Sequence, residues 1–317
     1  MTRATHDTCR NSPASFKIEH PARFAVDATR ACNLNSCTHG ANDLVISISD
    51  TRPSATRIAL AGWHDALRAI TQMMPVAGPA FLFTLMAEAA YALLRAQSHA
   101  IELAISPFYW IAQSLVLAPL AIAVHRYVLL GEVTPHYALN PSDRRFQRYF
   151  GFAVALHAIW LSIGIWWIIG HFVFGAPILP GEPVTQEAKE NLGWILVVEF
   201  AAPFVTGLII ARLTLGIAIL FPAVATDAPG AGWRNAVNDS EGHIFRMFWA
   251  FALGLVPLSP LDFILTRELT EAHRAFQAVA VVLNAAKSVL IVSAFAAIAS
   301  TFYAAYGRRL KRKAPAA

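Results

Sequence analysis

Phe276-Gln-Ala-Val-Ala-Val-Val-Leu-Asn-Ala-Ala-Lys-Ser-Val-Leu-Ile-Val-Ser-Ala-Phe-Ala-Ala-Ile-Ala-Ser-Thr-Phe-Tyr303 carries one charge, Lys287, in a long run of small and apolar residues. A hydrocarbon core of about 30 Å needs roughly 20 apolar residues of helix. This run exceeds that length. Working outward from it, comparable stretches lie near 75–95, 105–128, 147–174, 192–211 and 243–265. They predict an all-α fold, a polytopic membrane helical bundle of six transmembrane helices. Apolar residues make up 56% of the chain and charged residues 14%, with a mean hydropathy of +0.48. A soluble domain carries nearer a quarter charged residues, so the composition argues for lipid as the solvent. Tyr91, Tyr109, Tyr149, Trp194, Trp249, Tyr303 and Tyr306 fall at the predicted span ends, where amphipathic rings favour the headgroup zone.

The loops predict orientation, because cytoplasmic flanks retain Lys and Arg. Arg52, Arg57 and Arg68 precede the first span, and Arg126, Arg144, Arg145 and Arg148 separate the second from the third. Arg212, Arg234 and Arg246 separate the fourth from the fifth, and Gly307-Arg-Arg-Leu-Lys-Arg-Lys313 follows the sixth. The alternate loops hold only Arg95, Lys189, Arg267 and Arg274, with Glu182, Glu187 and Glu190 making one of them acidic. Both termini are expected in the cytoplasm, the chain residing in the cell (inner) membrane. The net charge of +5 and pI of 9.3 follow from that topology and do not imply nucleic-acid binding. The basic tail is suited to anionic lipid headgroups.

Three regions are expected: an arm over residues 1–56, a membrane domain over 57–306 and a basic cytoplasmic tail over 307–317. The arm is rich in Thr, Ser, Asn and Arg without a sustained period, which predicts disorder. A start codon lying downstream of Met1 is the alternative origin of this arm. No apolar signal segment follows Met1, and the run 43–49 is a candidate strand without a partner. Cys9, Cys32, Cys37 and His39 match no common zinc spacing, so no metal, cofactor or disulfide is expected.

Inside the membrane part, Ala61-Gly-Trp-His-Asp-Ala66 precedes the first span and Ala231-Gly-Trp-Arg-Asn-Ala236 the fifth. The recurrence groups the spans into three hairpins, each led by an interfacial amphipathic element. In the first lead-in Ile58, Leu60, Trp63, Leu67, Ile70 and Met74 recur at helical spacing between polar residues, predicting a helix lying along the membrane surface. Trp63, Arg68, Arg212, Trp233 and Arg246 are the candidate interfacial residues. Beyond the fourth span, 213–225 stays apolar and contains Pro222. It reads either as a kinked continuation of that span or as a surface-lying or re-entrant element.

The segments Ala211-Arg-Leu-Thr-Leu215, Phe221-Pro-Ala-Val-Ala225, Gly232-Trp-Arg-Asn-Ala236 and Gly242-His-Ile-Phe-Arg246 resemble the membrane domain attached to some glycerophosphoryl diester phosphodiesterases, and related six-span inner-membrane proteins. The likeness covers roughly 60–310, with about 35 recognisable residues. Asn238-Asp-Ser-Glu-Gly242 departs from the Thr-Arg-Gly-Asn run of that family. The family's catalytic barrel would follow the membrane part, beyond Ala317, so the resemblance implies a membrane scaffold and no hydrolase activity.

Ionisable groups at membrane depth are costly, and each is a functional candidate. Glu88, Glu199 and Lys287, with Asn284 one turn from Lys287, form the candidate intramembrane polar cluster. At a rise of about 1.5 Å per residue the two carboxylates lie roughly 10 Å below the outer surface. The cluster reads as a buried structural ion pair joining the first, fourth and sixth spans, or as a solute pathway. His157 reads as a packing histidine and His171 as an interfacial one. Small residues along the sixth span place it at the bundle centre. No nucleophile–base pair or phosphate-binding loop is present. The expected role is a non-enzymatic scaffold or accessory subunit with a membrane-protein partner; the alternative is a small-solute or ion transporter or channel.

Overall fold

The computed structural model describes residues 53–174, 186, 193–194, 197–261 and 274–311. The predicted arm with Cys9, Cys32, Cys37 and His39, the acidic loop residues, Arg267 and the last tail residues lie outside the described residues. Every regular element among the described residues is helical. The elements are α1 (Ala55–Gln72), α2 (Met74–Arg95), α3 (His99–Leu130), α4 (Arg144–Phe174), a π turn (Val197–Ala201) and α5 (Ala202–Ala218). After them come α6 (Leu220–Ala225), α7 (Trp233–Ser240), α8 (Ile244–Leu255), α9 (Arg274–Tyr306) and α10 (Arg308–Lys311).

Local chemistry sets the ends of these helices. Ser54 caps α1 by accepting the Arg57 N–H at 3.3 Å, and Ser98 caps α3 by accepting that of Ile101 at 3.2 Å. Pro75 opens α2, where its missing N–H costs nothing. Gly131, at φ 69°, closes α3 and donates its N–H to Tyr127 O at 3.0 Å.

Among the described residues five helical stretches are long and apolar enough to cross a membrane: Met74–Arg95, Ala104–Leu130, Ala202–Ala225, Ile244–Leu261 and Gln277–Tyr306. Helix α4 covers the stretch predicted as the third span. Outward-facing side chains on the bundle are large and apolar, with Leu93 72%, Phe108 73%, Phe204 67% and Phe245 74% exposed. Exposed apolar surface on that scale fits a bundle surrounded by lipid.

The predicted hairpins are adjacent pairs. Tyr109 donates to Glu88 and Tyr91 pairs with Ser106 at 3.0 Å, which runs α3 antiparallel to α2. Trp166 on α4 donates to Thr206 on α5 at 3.0 Å. The Phe251 ring of α8 meets Phe295 of α9 edge-on at 5.2 Å. Helix α9 is central, touching α1, α2, α3, α6 and α8. Its buried residues are mostly small (Ala280, Ala285, Ser293, Ala294, Ala297 and Ser300), with Val289, Ile298 and Phe302 among them. Without a hydrophobic force between helices in lipid, such close approach supplies the packing energy.

The structure adds detail to the sequence reading. The buried face of α1 is Ile58, Ala59, Gly62, Ala66 and Ala69, whereas Leu60, Leu67 and Met74 of the expected stripe point outward. The small residues win because α1 lies flat on α9: a Cβ at Gly62 would penetrate the Ile298 side chain. The repeated hexapeptides are not equivalent in place, since Gly62 is inside a helix and Gly232 is the extended N-cap of α7.

The segment 213–225 continues the preceding helix with a break, as the kinked-continuation reading has it. Ile217, Ile219, Leu220, Ala223, Val224 and Ala225 are buried, with α6 packed on α3, α4 and α9. The helix breaks at Ile219, because the Pro222 ring clashes with the carbonyl four residues earlier, at Ala218. Finally, the start of the basic tail is folded back. Asp239 accepts the N–H groups of Arg309 and Leu310 at 2.8 and 3.0 Å, and Leu310 is fully buried. Burial holds the Lys311 ammonium below the usual lysine range, opposed by the nearby Asp239.

Gly62→Val is expected to destabilise the bundle by about 1–3 kcal/mol through overpacking. Thermal unfolding in detergent should show a lowered midpoint, partly restored by adding Ile298→Ala. An unchanged midpoint for Gly62→Val would exclude the flat seating of α1.

Candidate functional site

The polar cavity lies between α2, α3 and α9, in the half of the bundle away from the basic loops. Its volume is about 280 Å³, and its lining includes Glu88, Arg95, Tyr109, Gln113, Asn284 and Lys287. Helical spacing explains the convergence. Glu88 and Arg95 stand seven residues apart on α2, Tyr109 and Gln113 four apart on α3, and Asn284 and Lys287 three apart on α9.

Glu88 is only 7% exposed and accepts a hydrogen bond from the Tyr109 hydroxyl. Gln113 Nε2 donates to Tyr109 Oη at 3.2 Å and to Ser288 Oγ at 2.9 Å. One chain of donors therefore ties α2 to α3 and α3 to α9. The Tyr91 and Tyr109 rings stack at 4.4 Å, forming one wall. Lys287 and Arg95 both act electrostatically on Glu88. One hydrogen bond and the two nearby cations partly offset the cost of burying this carboxylate.

Three of the four predicted cluster residues, Glu88, Asn284 and Lys287, are brought together. Glu199 lies on the π turn, whose main packing is on α4 and α5, and its side chain lies outside the described residues. The fourth predicted span thus approaches the centre through α6 rather than through the turn that carries Glu199. His157 hydrogen-bonds Ala153 O at 2.8 Å, as a packing histidine does. The side chain of His171 lies outside the described residues.

A second buried polar group escaped the sequence reading. His125 is 1% exposed, with Nδ1 2.8 Å from Ser300 Oγ and Nε2 3.3 Å from Tyr149 Oη. A signal existed: the 125/300 separation of 175 residues equals that of the Gln113–Ser288 pair, but only the structure reveals that register.

The five candidate interfacial residues differ in burial and contacts. Trp63 is half-buried and donates its indole N–H to Gly254 O at 2.9 Å; a Cβ on Gly254 would come within 2.7 Å of Ile298. Arg246 donates to the Tyr306 hydroxyl at 2.6 Å. Arg68, Arg212 and Trp233 are exposed. Among the described residues no cluster of His, Cys, Asp or Glu has metal-binding geometry. No protein-family model, curated protein or solved structure matches the chain.

Tyr109→Phe removes the phenol donor from Glu88 while keeping the ring. Hydrogen bonds in membranes average about 0.6 kcal/mol, but stranding a buried acceptor costs about 1–3 kcal/mol. The variant's melting midpoint in detergent should therefore fall, and Tyr109→Phe with Glu88→Leu should lie closer to the parent than Tyr109→Phe alone. A double variant no better than the single would show that Tyr109 does not serve Glu88.

Proposed function

We propose that this chain is a non-enzymatic scaffold or accessory subunit of the cell (inner) membrane, crossing it six times with both termini in the cytoplasm. One observation carries the reading: Glu88, Tyr109, Gln113 and Ser288 hydrogen-bond one another across three helices. Polar groups so engaged hold a bundle together. Beyond Gln113 and Ser288 the same helices close on buried Leu117, Leu120, Ala121 and Val124 against Ala294, Ala297 and Ile298. That closure favours a scaffold over an open channel.

Six crossings are supported by direction. Helix α4 meets α3 at His125–Tyr149 and α5 at Trp166–Thr206, contacts roughly 25 Å apart along its axis. Orientation rests on the basic loops. The resemblance to the phosphodiesterase-linked membrane domain accords with a scaffold, and anionic headgroups and a membrane protein are its partners. The second reading, a small-solute carrier, draws on the charged cavity at Glu88, Arg95 and Lys287.

Lys287→Met and Glu88→Gln should lower folded yield and thermal midpoint together. Abundant, stable variants that lose solute uptake or conductance in vesicles would instead establish the carrier. Orientation is read by thiol labelling after Cys9, Cys32 and Cys37 are changed to Ser. Ala188→Cys and Ala314→Cys should react from opposite sides, and labelling of both from one side would refute six crossings.

A further inference from the structure

We propose that the cavity between α2, α3 and α9 receives the phosphodiester headgroup of a membrane lipid. The first argument is charge. Arg95 and Lys287 face Glu88 in the lining, leaving one formal positive charge in excess. A phosphodiester carries one negative charge, so its entry balances a site that lies beside hydrocarbon, where uncompensated charge is costly.

The second argument is donor geometry. Arg95 is half-buried at the last turn of α2, and its guanidinium fork matches two oxygens of a phosphate. Lys287 approaches from α9 as a point charge, and Asn284 adds an amide from the same helix. Glu88, engaged by Tyr109, lines the same cavity, so the three charged groups share one polar space.

Exposed apolar side chains stand on the same three helices as the cavity. Trp110 lines it and is 44% exposed. Leu93, Phe108 and Val282, on the three contributing helices, are also exposed. A headgroup in the cavity would lay its acyl chains against these residues. A water-borne phosphate shares the headgroup chemistry but gains nothing from that surface. This inference goes beyond the scaffold reading, which is tested by stability and uptake and survives its failure.

The test uses the full chain in maltoside micelles titrated with spin-labelled phosphatidylglycerol. An immobilised lipid component is expected, with affinity weakened about tenfold by Arg95→Gln, the loss of one charge-assisted contact. Arg57→Gln, an equal charge loss on the exposed face of α1, should leave affinity unchanged. Diacylglycerol and millimolar inorganic phosphate should each fail to displace the lipid. Lys287→Gln should weaken binding similarly; if it does not fold, Arg95→Gln at the rim decides alone. Wild-type binding by Arg95→Gln, equal weakening by Arg57→Gln, or displacement by diacylglycerol would overturn the proposal. Displacement by phosphate would reassign the cavity to a free anion.

Discussion

The parallel seating of α3 on α9 is the constraint from which the rest of the bundle follows. Two side-chain hydrogen bonds pin it, Gln113 to Ser288 at 2.9 Å and His125 to Ser300 at 2.8 Å. Each joins residues 175 positions apart in the chain, and the two lie about 18 Å apart along the helices. Bonds of this kind contribute little individually in a membrane. Their effect is on register: sliding α3 by one turn would strand both pairs in a low-dielectric interior. Parallel helices separated by so much sequence also oblige the intervening chain to go out and return, which α4, α5–α6 and α8 accomplish.

With that register fixed, the bundle acquires two different ends. At the basic end helices close on small residues, and the arginines counted for orientation also satisfy backbone groups. Arg126 donates to Ala225 O at 3.1 Å, where α6 ends, and Arg148 to Ala231 O at 2.6 Å before α7. Arg145 bonds Asp227, a residue at φ 52°, and that bond raises its guanidinium above the ordinary value. At the opposite end, α2, α3 and α9 leave space, and the space is polar.

Much of this was legible from residues alone, because lipid simplifies the problem. Long apolar runs and the many small residues of the last helix each have one dominant physical meaning. Glu88, Asn284 and Lys287 share one cavity, but depth did not decide it, since Glu199, expected level with Glu88, sits on the turn packed against α4 and α5. Other features depended on rotation about a helix axis, which composition does not encode. The face that α1 turns to α9 was not legible, because close contact selects Ala and Gly there, and small residues leave no apolar stripe in the sequence. His125 went unnoticed because a single histidine gains meaning only when Ser300 and Tyr149 are brought beside it. The burial of α6 was hidden because an apolar segment after a proline reads the same whether lipid or protein covers it.

Cysteine cross-linking in native membranes tests the seating of α3 on α9 most directly, using a chain whose own cysteines are serine. Gln113→Cys with Ser288→Cys, and His125→Cys with Ser300→Cys, should each form a cross-link, whereas Gln113→Cys with Ser300→Cys should not. Cross-linking of the mismatched pair, with the two matched pairs silent, would contradict the parallel register and the architecture built on it.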